Sequence, residues 1–216
     1  MVRRFWPLVF GLCWMGSSVG VQADEASSAF ESVCERLRAV KQVETDFAEE
    51  KTLHILTHPL KSTGSLLFSP DKGVYRVTRE PLHQELLITH SQLLQKDSQG
   101  NIQSLAVRSQ PEARVFIDVF LSFFSGDNRA WEKSFDTTFS GSVGDWEIQF
   151  RPRRRSPAAK ALRGITLKGH DGVLDAMTLE EANGDITRTA YEHQRLFLKS
   201  DAGEPATPFP LTLTSP

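Results

Sequence analysis

An α+β architecture, one large curved antiparallel sheet with helices packed on one face, follows from three observations on the sequence. About ten short segments of period two are separated by turn chemistry. An amphipathic helix precedes them, and a helical-length apolar stretch from Pro111 to Phe124 interrupts them once. Strands that follow one another through tight turns form hairpins, and strands that do not alternate with helices cannot build βαβ units.

The first residues read as an export signal. Arg3-Arg4 is followed by an apolar run from Phe5 to Gly16 and by Val21-Gln22-Ala23 before Asp24, which is a basic region, an apolar region and a small-x-small cleavage site in order. The apolar run is short for a membrane span, which takes about 20 residues. Residues 1–23 are therefore expected to be a signal peptide and 24–200 one folded domain outside the cytoplasm. Residues 201–216, with Gly203, Pro205, Pro208, Pro210 and Pro216, are expected to be an extended or disordered tail. Without Arg3 and Arg4 the chain keeps 23 basic residues against 27 acidic ones, a mildly acidic balance that gives no global case for nucleic acid. Cys13 leaves with the signal, so Cys34 stands alone and is read as a buried, inert thiol on the apolar face of the first helix.

That helix is expected over Ala29 to Val40, where Phe30, Val33, Cys34 and Leu37 recur at helical spacing behind a Ser27-Ser28 cap region. The period then changes to two. Val43, Thr45 and Phe47 alternate with Glu44 and Asp46, and further strands are expected at Gly64 to Phe68, Gly73 to Arg79, His83 to Thr89 and Gln92 to Lys96. After the apolar stretch come Phe135 to Phe139, Trp146 to Phe150, Gly164 to Lys168, Leu174 to Glu181 and Asp185 to Tyr191, with hairpin signals at Asp171-Gly172 and Asn183-Gly184.

Between the two sets of strands, Phe116, Val119, Phe120 and Phe123 fall on one helical stripe, and Ile117, Leu121 and Phe124 fill a second. A helix apolar on most of its circumference must be covered on most of it. It is either a central core helix or a helix over an apolar cavity, and periodicity does not separate a filled interior from an open one.

Chemistry is sparse. The sequence has no nucleophile elbow, phosphate-binding glycine loop, zinc pattern or dinucleotide fingerprint. His54 and His58 lie in a loop between hairpins, where a spacing of four does not converge, and carboxylates such as Asp171 and Asp175 read as solvated charges. No enzyme, metal or cofactor is expected. Arg151, Arg153, Arg154 and Arg155 form the one dense charge run, read as a solvated loop or as a docking patch for an acidic partner or an anionic headgroup.

The order of elements and three local patterns resemble the LolA family of periplasmic lipoprotein carriers. Those patterns are Val43-Glu44-Thr45-Asp46-Phe47 after the amphipathic helix, Ser62-Thr63-Gly64-Ser65-Leu66-Leu67-Phe68-Ser69-Pro70, and a strand ending at Glu80-Pro81. The resemblance covers roughly Ala29 to Leu198 and rests on element order more than on any single motif. It implies an incomplete, strongly curved antiparallel β-barrel with helices as a lid over an apolar cavity that receives acyl chains. It assigns cavity and lid to Phe47, Leu66, Phe68, Tyr75, Phe116, Phe120 and Phe123. The family's carriers place an arginine just before the proline that ends the second strand, where Ser69 stands here, and commonly a tryptophan near Tyr75 and Arg76, where this chain has none.

The expected function is a periplasmic carrier, monomeric and without catalysis. It would hold acyl chains of a lipoprotein or another lipid between an inner-membrane donor and an outer-membrane acceptor protein. The alternative is an envelope sensor or interaction domain of the same fold that signals by protein contact.

Overall fold

A computed structural model of the protein describes residues 19–89, 91–106, 121, 131–203, 205 and 207–213. Helix α1 (Val19–Arg38) leads into strands β1 (Val40–Thr52), β2 (Leu60–Ser69), β3 (Gly73–Glu80), β4 (Gln84–Ile88), β5 (Gln92–Lys96) and β6 (Ile102–Ala106). After the segment 107–134 come β7 (Phe135–Ser142), β8 (Asp145–Pro152), the short helix α2 (Ala158–Ala161), β9 (Leu162–His170), β10 (Val173–Glu181) and β11 (Ile186–Leu198). The strands form a single antiparallel sheet in the order β6-β5-β4-β3-β2-β1-β11-β10-β9-β8-β7. Every neighbour pair is consecutive in sequence except β1 with β11, which joins the two ends of the chain at the sheet's centre. Among the described residues β6 and β7 do not pair, so the sheet is an open, incomplete barrel. These two edges are consecutive in sequence, and the chain between them carries the apolar stretch.

Local chemistry sets the bends. Asp171 and Gly172 both take positive φ, 48° and 87°, as a two-residue primed hairpin turn requires. Gly172 also lies under Arg36 of α1, whose side chain comes within 2.6 Å of where a Cβ would stand. β1 and β11 slip register between Glu44 and Asp46, and His193 in the slipped stretch has φ 53°. Such a bulge bends a strand and increases its twist.

Two expectations are corrected by the elements. β6 adds an eleventh strand, overlooked because Ile102-Gln103-Ser104-Leu105-Ala106 is a short edge strand that bonds only to β5 and whose first residues lie exposed. Helix α1 begins ahead of Ala29, so Ser27 and Ser28 lie within it and do not cap it; the Ser32 hydroxyl donates to the Ser28 carbonyl at 2.9 Å, one turn back. The apolar stripe itself is as expected. Val33, Cys34 and Leu37 are fully or almost fully buried, and burial pushes the Cys34 thiol up to about 11, in keeping with an inert thiol.

The inner face of the sheet, which carries α1, holds the main core. Over β7 to β9 that core is solid: Trp131, Phe135, Trp146, Ile148 and Phe150 are all at most 1 % exposed, and Trp131 and Phe135 meet Phe150 edge-on at 5.7 and 6.3 Å. The outer face of β2 to β5 is apolar as well. Leu67, Tyr75, Leu87 and Leu94 stand in cross-strand register there and are covered by Phe209 and Leu213 of the tail. The tail runs without regular structure, yet it is bound at two further points: Gln42 Nε2 donates to the Thr207 carbonyl at 2.9 Å, and the Thr207 N–H donates to Glu44 at 3.3 Å. The proline and threonine content points to an extended or disordered tail; its described part has no regular structure and buries Phe209 and Leu213.

Candidate functional site

Where β1 to β4 meet β10 and β11, the inner face is not filled. A cavity of about 140 Å³ lies there, floored by Phe47 of β1, Leu66 of β2 and Val74 of β3, walled by Leu86 and Ile88 of β4 and Met177 of β10, and closed on another side by Leu121. Leu121 comes from the segment joining the sheet's edges and is only 2 % exposed. Alternation explains the set. Leu66 pairs with Arg76 and Arg76 with Leu86, so this row of side chains points inward, while the neighbouring row of Leu67, Tyr75 and Leu87 points outward.

Three side chains bring polarity to this apolar space: Arg76, Thr189 and Tyr191. The Arg76 guanidinium stacks 4.0 Å from the centroid of the Phe47 ring. It also forks onto Glu49, donating from its two terminal nitrogens at 2.7 and 2.9 Å. The Thr189 and Ser62 hydroxyls donate to the same carboxylate at 3.2 and 3.4 Å. Burial would raise the Glu49 carboxyl, but the Arg76 bonds and charge, aided by the two hydroxyls, outweigh it and hold the group below its usual value. Phe47 can lie flat in this row because Gly64 faces it: a Cβ there would stand 2.8 Å from the ring and collide with the Val77 carbonyl oxygen. The Tyr191 hydroxyl has no hydrogen-bond partner among the described residues, and burial pushes its ionisation far upward.

Two further spaces adjoin the cavity. A crevice of about 30 Å³ under α1, lined in part by Leu37, Phe68 and Leu174, shares Leu66 and Tyr191 with it. On the other side an open cleft of about 730 Å³ shares Arg76 and Leu86, and its rim carries Leu60 and Leu82, which are exposed. The largest volume is thus the least enclosed one, and the smaller cavity is the more apolar.

Of the residues assigned from the sequence, Phe47 and Leu66 meet in the cavity and Phe68 lies in the crevice beside it. Tyr75 lies elsewhere. It belongs to the outer row, where its hydroxyl donates to Glu85 at 2.8 Å and its ring packs in the cluster under the tail. Phe116, Phe120 and Phe123 lie outside the described residues. In the basic run, Arg153 is committed, donating to the Phe135 carbonyl and pairing with Asp136 at 3.0 Å. Arg151, Arg154 and Arg155 are exposed where β8 runs out toward α2. His54 is tied to Asp185 at 2.8 Å. Sequence reasoning overlooked Arg76, Leu86, Met177 and Tyr191, because which row of a strand faces inward depends on register, and the register signal lay in the pairing of Leu66, Arg76 and Leu86.

Among solved structures, the chain is similar to a LolA superfamily protein from Nitrosomonas europaea at 10% identity, covering 77% of this chain and 93% of that one with a TM-score of 0.42. It is similar to the MucA/MucB complex structure of Pseudomonas aeruginosa at 15% identity and a TM-score of 0.47, over 84% of this chain and 58% of that one. A DUF1329 family protein from Desulfovibrio piger is similar at 9% identity and a TM-score of 0.44, over 84% of this chain and 95% of that one. Curated proteins give no match. The family described as outer membrane lipoprotein carrier protein LolA-like matches residues 22–194, which takes in all but the first residues of α1 and the end of β11. By that match the chain belongs to the LolA-like family.

Proposed function

We propose that the protein is a periplasmic, non-enzymatic carrier that binds acyl chains of a lipoprotein or another lipid and moves them from an inner-membrane donor toward an outer-membrane acceptor. The observation that carries this reading is the apolar cavity between the sheet and Leu121. An empty apolar cavity of about 150 Å³ binds a benzene-sized group, so the cavity accommodates the end of a chain and the adjoining crevice and cleft its continuation. Each buried methylene contributes about 0.8 kcal/mol, which gives reversible affinity without polar chemistry. Membership of the LolA-like family supports the reading.

Protein purified from the periplasm is expected to carry acyl lipid detectable by mass spectrometry, and the stripped protein to bind a fluorescent fatty acid. Met177→Trp, which fills the cavity, should abolish that binding while leaving the circular dichroism spectrum intact. Ligand-free protein that also ignores the probe would sink the carrier reading. A second reading, signalling by protein contact, is favoured by Arg151, Arg154 and Arg155, three exposed cations that find no partner among the described residues. It requires capture of one envelope protein that is lost on replacing the three by alanine and is indifferent to Met177→Trp.

A further inference from the structure

The Arg76 network at the cavity's edge offers one kind of chemistry to a ligand. Glu49 accepts four hydrogen bonds, two from Arg76 and one each from Ser62 and Thr189, which uses the acceptor sites of both carboxylate oxygens. A guanidinium has five N–H groups. Three of those of Arg76 are used, two on Glu49 and one on the Ser62 hydroxyl at 3.4 Å, leaving the others without a partner among the described residues. The Tyr191 hydroxyl, on the wall of the same cavity, is likewise uncommitted. The free capacity of Arg76 is therefore all donor, beside the cleft that Lys51 and Lys61 also line, and the Tyr191 hydroxyl, on the side of the crevice under α1, is free to donate as well.

We propose that Arg76 and Tyr191 form a carbonyl-recognition site that receives the acceptor oxygens of an acyl group, as ester or carboxylate, with the hydrocarbon chain in the cavity and the headgroup in the open cleft. Unpaired donors facing an apolar space disfavour an occupant that leaves them unpaired, whereas an acceptor placed there satisfies them. The ligand class is thus an amphiphile with an oxygen acceptor at the head of its chain. A cationic amphiphile finds the carboxylate of the network, Glu49, already saturated and brings no acceptor to Arg76. This inference rests on the carrier reading and adds to it the polar group that the carrier selects.

The test is displacement of a cavity-bound apolar dye by three sixteen-carbon amphiphiles, palmitate, methyl palmitate and hexadecyltrimethylammonium, each below its micellar concentration. The unaltered protein should rank palmitate and methyl palmitate at least about tenfold above the ammonium compound, since a lost hydrogen-bonding partner at a buried site costs about 1–3 kcal/mol. Preference for palmitate over its ester identifies a free acid as the source of the carbonyl, and parity identifies an ester. Tyr191→Phe removes only the uncommitted hydroxyl and should shrink the ranking while leaving the ammonium compound unmoved; Arg76→Met, which keeps the stack on Phe47, should remove most of it. Equal displacement by all three, or an unchanged ranking in both variants, overturns the carbonyl site and leaves the carrier reading standing. Failure of the dye and of every amphiphile to bind overturns both.

Discussion

Glu49 and Arg76 form the most enclosed ion pair on the cavity wall, with side chains 15% and 24% exposed. Such a pair contributes through its geometry, since desolvation opposes it, and the fork plus two hydroxyls supplies what desolvation removes. The sign of its pH dependence follows. The folded state holds the Glu49 carboxyl below its ordinary 4.5, so the unfolded chain binds the proton more readily in the interval between the two values. The stability contributed by the pair is complete above the unfolded value and is lost as pH falls through the folded one. Glu49→Gln should therefore lower stability near neutral pH and flatten the acid limb of a urea-midpoint titration below about pH 4.5. An acid limb of unchanged steepness in the variant would show that Glu49 does not carry this dependence. None of this was legible from spacing: Glu49 and Arg76 lie on different strands, and only the pairing of β1 with β2 and of β2 with β3 stacks them.

At the scale of elements, the strands and the turns were readable because their signals are local. Asp171-Gly172 and the alternation in β1, β8 and β9 each follow from steric rules acting over a few residues. Which face of β2 to β5 is buried was harder, because both are. Leu66-Leu67, Leu86-Leu87 and Leu93-Leu94 each place one leucine on either side of the sheet, the pattern of strands covered twice. The inner leucine of the first two pairs lines the cavity and the outer leucine of all three joins the cluster around the tail. That doubling was a sign in the sequence that something must cover the outer face, and the tail does. Phe209, 6% exposed, is its main anchor. Phe209→Ala should lower stability by about 3 kcal/mol, the low end for a buried phenylalanine, because a strap can relax more than a core. It should also open the tail to limited proteolysis near residues 201–213. A tail equally resistant in the variant would mean that Gln42 and Glu44, rather than apolar burial, hold it.

The whole molecule divides its inner face between two tasks. Over β7 to β9 the aromatic side chains of Trp131, Phe135, Trp146 and Phe150 fill the space, and over β1 to β4 the smaller Leu66, Val74, Leu86 and Ile88 leave it open. The two halves of the sheet meet at its centre, where β1 pairs with β11, so one half is closely packed while the other leaves room. The division predicts unequal responses to the same chemical change. Ile148→Ala, in the filled half and fully buried, should cost about 4 kcal/mol, whereas Ile88→Ala, on the cavity wall and only partly buried, should cost less than about 2, since fewer atoms lose contact there. A cavity that binds an acyl chain must also couple the chain to folding. Ligand at about 100 times its dissociation constant should raise the unfolding free energy by about 2.7 kcal/mol. Ile148→Ala should keep that increment, because the filled half does not touch the ligand, and Ile88→Ala should reduce it. Chemical denaturation of the two variants with and without palmitate measures both quantities. Equal losses without ligand would show that the cavity wall is packed as core, and an increment reduced equally in both variants would show that the ligand binds elsewhere.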